Sequence, residues 1–320
     1  MKRISVVTPC FNEEANVEAL YSRVKEVFKA LGSYEYEHLF IDNASTDGTQ
    51  AILKRLASAD INVKVVINTR NFGHIRSPFY GLTQAAGDAV ILLVSDFQDP
   101  PELIKDFLRQ WEAGYKVVLG IKTNSGESGL MFALRKFYYN IVDGLADVKL
   151  NKNNTGFGLY DSEVIAQLRK LDEPYPFFRG LISELGYPAA RVEYFQPARR
   201  RGITKNNFYT LYDIGMLGII NHSKVPLRLA IFAGAALAGL NLMAAFGYFV
   251  YKLAYWDSFS VGIAPAVIGL FFFSSVQLIF LGVIGEYIGA IYTQTLKRPL
   301  VIEKERINFK PLNGGVDNIA

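Results

Sequence analysis

The chain has 320 residues, of which 50% are hydrophobic, with 34 Lys and Arg against 30 Asp and Glu and a net charge of +4. That balance excludes a nucleic-acid binder, the single Cys10 excludes an internal disulfide framework, and three scattered histidines (His38, His74, His222) argue against a zinc site. The length suits one sizeable α/β domain with an appendage. The apolar run within Met1–Val7 is too short for a signal peptide, so the N-terminal domain is expected in the cytoplasm. Ile4–Thr8 reads as a strand, residues 14–31 as a helix, His38–Ile41 as a strand and residues 49–58 as a helix. Val63–Ile67 is the next strand, followed by a helix over 75–86 and a strand over Val90–Val94. Pro101–Glu112 is helical with its proline at the start, where proline is tolerated, and Val117–Gly120 is one more strand. Such alternation predicts a doubly wound, mostly parallel sheet whose ligands bind at the carboxyl ends of the strands.

Four loops sit at those ends. They read Pro9-Cys10-Phe11-Asn12-Glu13-Glu14, Asp42-Asn43-Ala44-Ser45-Thr46-Asp47-Gly48-Thr49, Asn68-Thr69-Arg70-Asn71-Phe72-Gly73 and Ser95-Asp96-Phe97-Gln98-Asp99-Pro100-Pro101-Glu102. Carboxylates and amides there can accept from a nucleoside or hold a divalent cation against a diphosphate. Asp42 or Asp47 alone reads equally well as a turn former or helix cap; four such loops in consecutive βα units carry more weight.

The chain then changes solvent. Residues 229–251 and 261–283 are two apolar stretches of membrane-crossing length, and a pair of buried soluble helices is the competing reading. The short linker between them predicts a hairpin. Lys224 and Arg228 before it, and Lys297, Arg298, Lys304 and Arg306 after it, place both flanks on the cytoplasmic side. Residues 206–224 fit either an amphipathic helix on the membrane face or a packed helix of the soluble domain.

In order, PCFNEEANV, IDNASTDGT, RNFGHIRS, SDFQDPPE, NNTGFGLYD and RRRGITK, followed by two terminal helices, resemble the polyprenyl-phosphate glycosyltransferases, relatives of dolichyl-phosphate mannose synthase. The resemblance spans essentially the whole chain. It implies a GT-A fold in residues 1–205, a juxtamembrane helix in 206–227, membrane helices within 228–293 and a cytoplasmic tail in 294–320. It also implies inverting transfer of a sugar from a UDP- or GDP-sugar to polyprenyl (undecaprenyl) phosphate, at the cytoplasmic face of the plasma membrane, serving a cell-envelope glycan. Pro9, Asn12, Glu14, Asp42 and Asn71 would then border the donor. Asp96 would hold Mg²⁺ or Mn²⁺, and Gln98 and Asp99 would support it or face the sugar. Arg199 and Lys205 would act near the leaving diphosphate and the acceptor phosphate, although Arg199–Arg201 and Lys205 also read as a basic cluster drawn to anionic lipid.

Two positions depart from the family. Val94-Ser95-Asp96 stands where Asp-x-Asp is common, and Thr155-Gly156-Phe157-Gly158 stands where Gly-Asp-Phe-Arg is frequent. A catalytically degenerate nucleotide-sugar or lipid-phosphate binder is the alternative those departures raise. The tail from Lys297 resembles tails that pack on a neighbouring subunit, so a homo-oligomer is expected.

Overall fold

The structure, a computed structural model, describes residues 1–124, 154–196, 225–255 and 263–309. The chain divides into two compact units: Met1–Tyr139 with Val148–Asn207 and Lys297–Ala320, and Asn140–Asp147 with Phe208–Leu296. In the first unit the predicted alternation is present: β1 (Lys2–Cys10), α1 (Val17–Leu31), β2 (Tyr34–Asp42), α2 (Thr49–Ala59), β3 (Val63–Asn68), α3 (Gly73–Gln84) and β4 (Ala89–Leu92). A 3₁₀ turn, Pro101–Leu103, then leads into α4 (Ile104–Glu112). Beyond it lie β5 (Val117–Asn124), β6 (Asn154–Asp161), α5 (Ser162–Leu168), α6 (Phe178–Glu184), β7 (Ala189–Phe195) and, from the far end of the chain, β8 (Glu303–Ile307).

The eight strands form one sheet in the order β7-β5-β6-β4-β1-β2-β3-β8. Strands β4, β1, β2 and β3 run parallel; β6 is antiparallel to β4 and β5, β7 is parallel to β5, and β8 is antiparallel to β3. The sheet is therefore mixed, with a parallel half and a mixed half. The central strands are apolar on both faces because both are covered. Ile4, Val6 and Ile91 pack with Leu20, Val24 and Phe107 on one side, and Val7, Leu39 and Ile41 with Phe79, Leu82 and Leu168 on the other. Helix α4 shows why: Ile104, Phe107, Leu108 and Trp111 recur at helical spacing and all four are buried. Trp111 also donates its indole N–H to Asp161 at 2.7 Å, tying α4 to the end of β6.

The registers fix a common edge. Leu92 pairs with Gly158 and Ile121 with Asn154, so the start of β6 and the end of β5 lie beside the carboxyl ends of β1–β4. Phe195 at the end of β7 follows the end of β5, and Glu303 at the start of β8 lies opposite Asn68. One edge of the sheet thus gathers segments from every part of the unit.

The second unit contains α7 (Val225–Ala254) and α8 (Ile263–Thr295). Among the described residues, Gly269–Thr295 is long and apolar enough to cross a membrane, and α7 has a shorter apolar run, Leu227–Asn241. Large apolar side chains are exposed along both helices, including Phe232, Phe246, Phe271 and Leu278. That pattern is the reverse of a soluble core helix. The juxtamembrane segment 206–224, together with Arg199 and Lys205, lies outside the described residues.

Candidate active site

The four loops singled out in the sequence meet at the common edge and are cross-linked. Asn12 adopts a left-handed conformation (φ 57°). Its N–H donates to Ser45 Oγ at 2.9 Å and its side-chain oxygen accepts from Thr46 N–H at 2.8 Å. Glu14 accepts from Gly48 N–H at 2.7 Å, at the start of α2, where an exposed backbone donor favours a carboxylate. Asp42 is fully buried at the end of β2. Its Oδ2 accepts from Ser45 N–H (3.0 Å) and from Gln50 (2.9 Å), while its Oδ1 has no partner among the described residues. Burial pushes the Asp42 carboxyl above its usual range. Asp42 therefore shapes the 43–48 loop from beneath.

Asparagines knit the next pair of loops. The Asn43 amide donates to Asn71 Oδ1 (2.8 Å) and Gly73 O (3.2 Å), and its oxygen accepts from Phe72 N–H (2.8 Å) and Asn68 (3.2 Å). Asn71 in turn accepts from Gly73 N–H at 2.8 Å, opening α3. Pro9 joins the fourth loop through its carbonyl, which accepts from Ser95 Oγ at 3.3 Å.

That fourth loop follows β4 and holds Asp96, Gln98 and Asp99. Phe97 adopts φ 58°, a costly conformation for a bulky side chain, and such strain tends to sit at functional loops. Asp96 is 9% exposed and accepts from Gln98 N–H at 3.2 Å. Asp99 is buried, and Tyr194 from β7 donates its hydroxyl to it at 2.6 Å. Burial first, and then the Asp96 charge, push the Asp99 carboxyl up to about 7. Two carboxylates on one loop, Asp99 with its pKa raised and Asp96 almost buried beside it, form an arrangement suited to cations or sugar hydroxyls.

Among the described residues no cluster of three or more His, Cys, Asp or Glu could hold a metal. The donor set is Asp96, with Asp99 engaged by Tyr194. It suits a hard divalent cation that takes one carboxylate and fills its other positions from phosphate oxygens and water.

The second departure, at Gly156 and Gly158, has a structural reading. Gly156 has φ +95°, and a side chain there would be strained. At Gly158 a Cβ would lie 2.4 Å from the Val118 carbonyl oxygen, so β5 and β6 are too close for any side chain. The Gly156 carbonyl instead accepts from Tyr160 at 2.8 Å, and Arg179 Nη1 donates to Asn154 O at 3.2 Å.

Pro9, Asn12, Glu14, Asp42, Asn71, Asp96, Gln98 and Asp99 thus share one edge. Asn43 and Asn68 stand in the loops singled out but were given no role of their own, and Tyr194 was not foreseen. Asn43 and Asn68 carry a readable signal, each a lone amide closing an apolar strand; Tyr194, in the segment AARVEYF, carries none.

The family profile described as "Glycosyl transferase family 2" matches residues 5–166. The chain is 35% identical over 93% of its length to "Uncharacterized glycosyltransferase YkcC" of Bacillus subtilis, covering 92% of that protein. It is 34% identical to the "SfII prophage-derived bactoprenol glucosyl transferase" of Shigella flexneri, over 97% of this chain and 100% of the relative. It is 33% identical to the "Prophage bactoprenol glucosyl transferase homolog" of Escherichia coli K12, over 94% of this chain and 98% of the relative. Full-length similarity at this level, together with the profile match across the edge loops, means that the chain belongs to glycosyl transferase family 2 and is a glycosyltransferase.

Proposed function

We propose that this glycosyltransferase is anchored by two membrane-crossing helices and transfers a sugar from a UDP- or GDP-sugar to polyprenyl phosphate at the cytoplasmic face, with inversion. The observation that carries the acceptor is the end-to-end similarity to proteins named bactoprenol glucosyl transferases, since bactoprenol is a polyprenol.

The hairpin is supported by the sheet. Strands β1–β7 precede the helices and β8 follows them, yet all belong to one sheet. Segments hydrogen-bonded in one sheet lie on one side of a membrane, which requires an even number of crossings between them. Helix α8 supplies one crossing by length and apolarity. Helix α7, 30 residues long, supplies the return.

In this reading the donor lies across the edge loops, with Pro9, Asn12, Glu14, Asn71 and the Asp42-held turn bordering the nucleotide. Asp96 would hold Mg²⁺ or Mn²⁺, and a cation there would stabilise the charge that develops on the departing diphosphate. Gln98 and Asp99 face the sugar, with Tyr194 fixing the Asp99 carboxyl. Arg199 and Lys205 belong near the leaving and accepting phosphates. The attacking oxygen belongs to a phosphomonoester whose second pKa is near ~6, so it is already ionised and needs positioning more than a base. That accounts for a site that works with glycine at 156.

The test is a donor screen on the full chain in nanodiscs with undecaprenyl phosphate, Mg²⁺ or Mn²⁺, and a panel of UDP- and GDP-sugars. One donor should give metal-dependent glycolipid, and Asp96→Ala should cut the rate by roughly 100- to 1,000-fold. The proposal fails if no donor is used while an active relative works in the same assay, or if Asp96→Ala transfers at the wild-type rate. Donor binding without turnover would favour the degenerate-binder alternative.

A further inference from the structure

At the β3 end of the common edge, cations from three segments converge, and among the described residues none of them is paired with a carboxylate. Arg70, in the loop after β3, stands 4.0 Å from the centre of the Phe72 ring, and Arg76 on α3 stands 5.7 Å from the same ring. Arg76 donates to the Pro299 carbonyl, which fixes the Lys297-Arg298-Pro299 segment against α3. Arg179 on α6 flanks the group, stacked 5.4 Å from Phe177. Burial and then the nearby charges of Arg70 and Arg298 hold the Arg76 guanidinium below its ordinary range. After burial, Arg179 similarly lowers His74, two residues after Phe72.

Among the described residues, none of Arg70, Arg76, Arg179, Lys297 and Arg298 makes an ion pair, although cations elsewhere in the unit do, Arg23 with Glu102 and Lys64 with Glu37 among them. Arg76 Nε is buried with no hydrogen-bond partner among the described residues. Arg70, Lys297 and Arg298 are exposed. Gathering like charges costs free energy unless an anion compensates, so the fold alone gives no reason for the arrangement.

The chain itself says where the anion comes from. Helix α8 ends at Thr295, and Pro299, pinned by Arg76, follows four residues later. Four residues span roughly 14 Å at full stretch. The exit of an apolar helix of membrane-crossing length is therefore tied covalently to this cluster. We propose that Arg70, Arg76, Arg179, Lys297 and Arg298 form a docking surface for anionic lipid headgroups, which holds the β3 end of the sheet edge against the bilayer. The proposal rests on the membrane reading given above. Clusters of four to eight basic residues beside a membrane helix bind anionic leaflets, each residue strengthening association by roughly fivefold. The two arginines beside Phe72 add flat, weakly hydrated donors suited to phosphate oxygens.

The test is arginine footprinting with phenylglyoxal on the full chain, reconstituted in phosphatidylcholine vesicles with or without phosphatidylglycerol and read by mass spectrometry. Arg109, exposed and on α4, is the internal reference. Modification of Arg70 and Arg298 relative to Arg109 should fall several-fold in the anionic vesicles and recover in high salt. In the Arg70→Gln/Lys297→Gln variant, which leaves Arg76 to hold Pro299, protection of Arg298 should be lost at lower salt. Equal modification in both vesicle types overturns the docking surface. Protection by inorganic diphosphate in zwitterionic vesicles, without protection by anionic lipid, also overturns it and assigns the cluster to a soluble phosphate. Alkaline carbonate extraction separates the two readings. A chain released by carbonate defeats the membrane anchor and the docking surface together, whereas a retained chain without protection defeats the docking surface alone.

Discussion

The two halves of the sheet bring similar residue types to one edge and use them differently. In the parallel half, the loops after β1, β2 and β3 bond mainly to one another: Asn12 to Ser45 and Thr46, Glu14 to Gly48, Asn43 to four partners. Where the loop after β4 meets the mixed half, Asp99 accepts, among the described residues, from one hydroxyl, that of Tyr194 on β7, and the neighbouring backbone of β5 and β6 is packed through glycines. Polar groups that satisfy each other build a rigid cradle and have little capacity left for chemistry. A carboxylate held through a single contact keeps its remaining lone pairs for a cation or a sugar hydroxyl. An amide within a motif can therefore be architecture first and ligand second, and substitutions should separate the two roles.

The sharpest break is Asn43→Ala. It leaves the buried Phe72 N–H without its acceptor, removes one of the two acceptors of the Asn68 amide and loosens the start of α3 from β2. We expect a loss of about 2–4 kcal/mol in stability, read as a fall in Tm of roughly 5–10 °C. Asp96→Ala should by contrast leave Tm nearly unchanged while transfer collapses. If Asn43→Ala melts like the wild type and Asp96→Ala does not, the assignment of the two halves is reversed.

Next in size is Gly158→Ala. A methyl group 2.4 Å from the Val118 carbonyl forces β5 and β6 apart. The expected cost is about 1–3 kcal/mol, with a correspondingly smaller drop in Tm. Gly156→Ala is the useful companion, because its Cβ would meet Leu92 and Phe178 at 3.6 and 3.8 Å, ordinary contact distances, leaving only the φ +95° backbone as the source of cost. Equal melting of Gly158→Ala and wild type would mean that the strands can separate, and that an arginine could be accommodated there after all.

The parallel half was legible because its signals are local. Apolar runs of strand length, helical periodicity in residues 104–111 and turn chemistry after each strand all agree on βα units. The site loops followed from that topology, since the carboxyl ends of parallel strands share an edge. In the mixed half, β5 was read as a strand over Val117–Gly120, but β6 and β7 were not legible, for a physical reason. Strand β6 takes its place through antiparallel pairing with β4 and β5, and β7 through pairing with β5, contacts set by tertiary packing that a single sequence does not display. The tail was the largest surprise: Glu303–Ile307 (EKERI), a charged run with little strand character, becomes the edge strand beside β3. Its charges are used there, Lys54 pairing with Glu305 and Arg306 with Glu303. Charge on an edge strand also discourages further pairing.

The smallest effect tests the single contact that distinguishes the mixed half. Tyr194→Phe removes the hydroxyl that donates to Asp99 and leaves the ring against Phe157, so Tm should change little. Tyr194 favours the ionised Asp99 carboxylate, opposing the burial that raises it. Without that hydrogen bond the Asp99 pKa rises further above about 7, and a larger share of the group is protonated at neutral pH. If ionised Asp99 positions the sugar, the acid limb of the rate profile should move to higher pH, and the rate at pH 7 should fall by roughly threefold to tenfold. Above the shifted pKa the rate should return toward that of the wild type. A uniform loss at every pH would assign Tyr194 to packing, and Asp99→Asn should then show no pH-dependent difference from the wild type either.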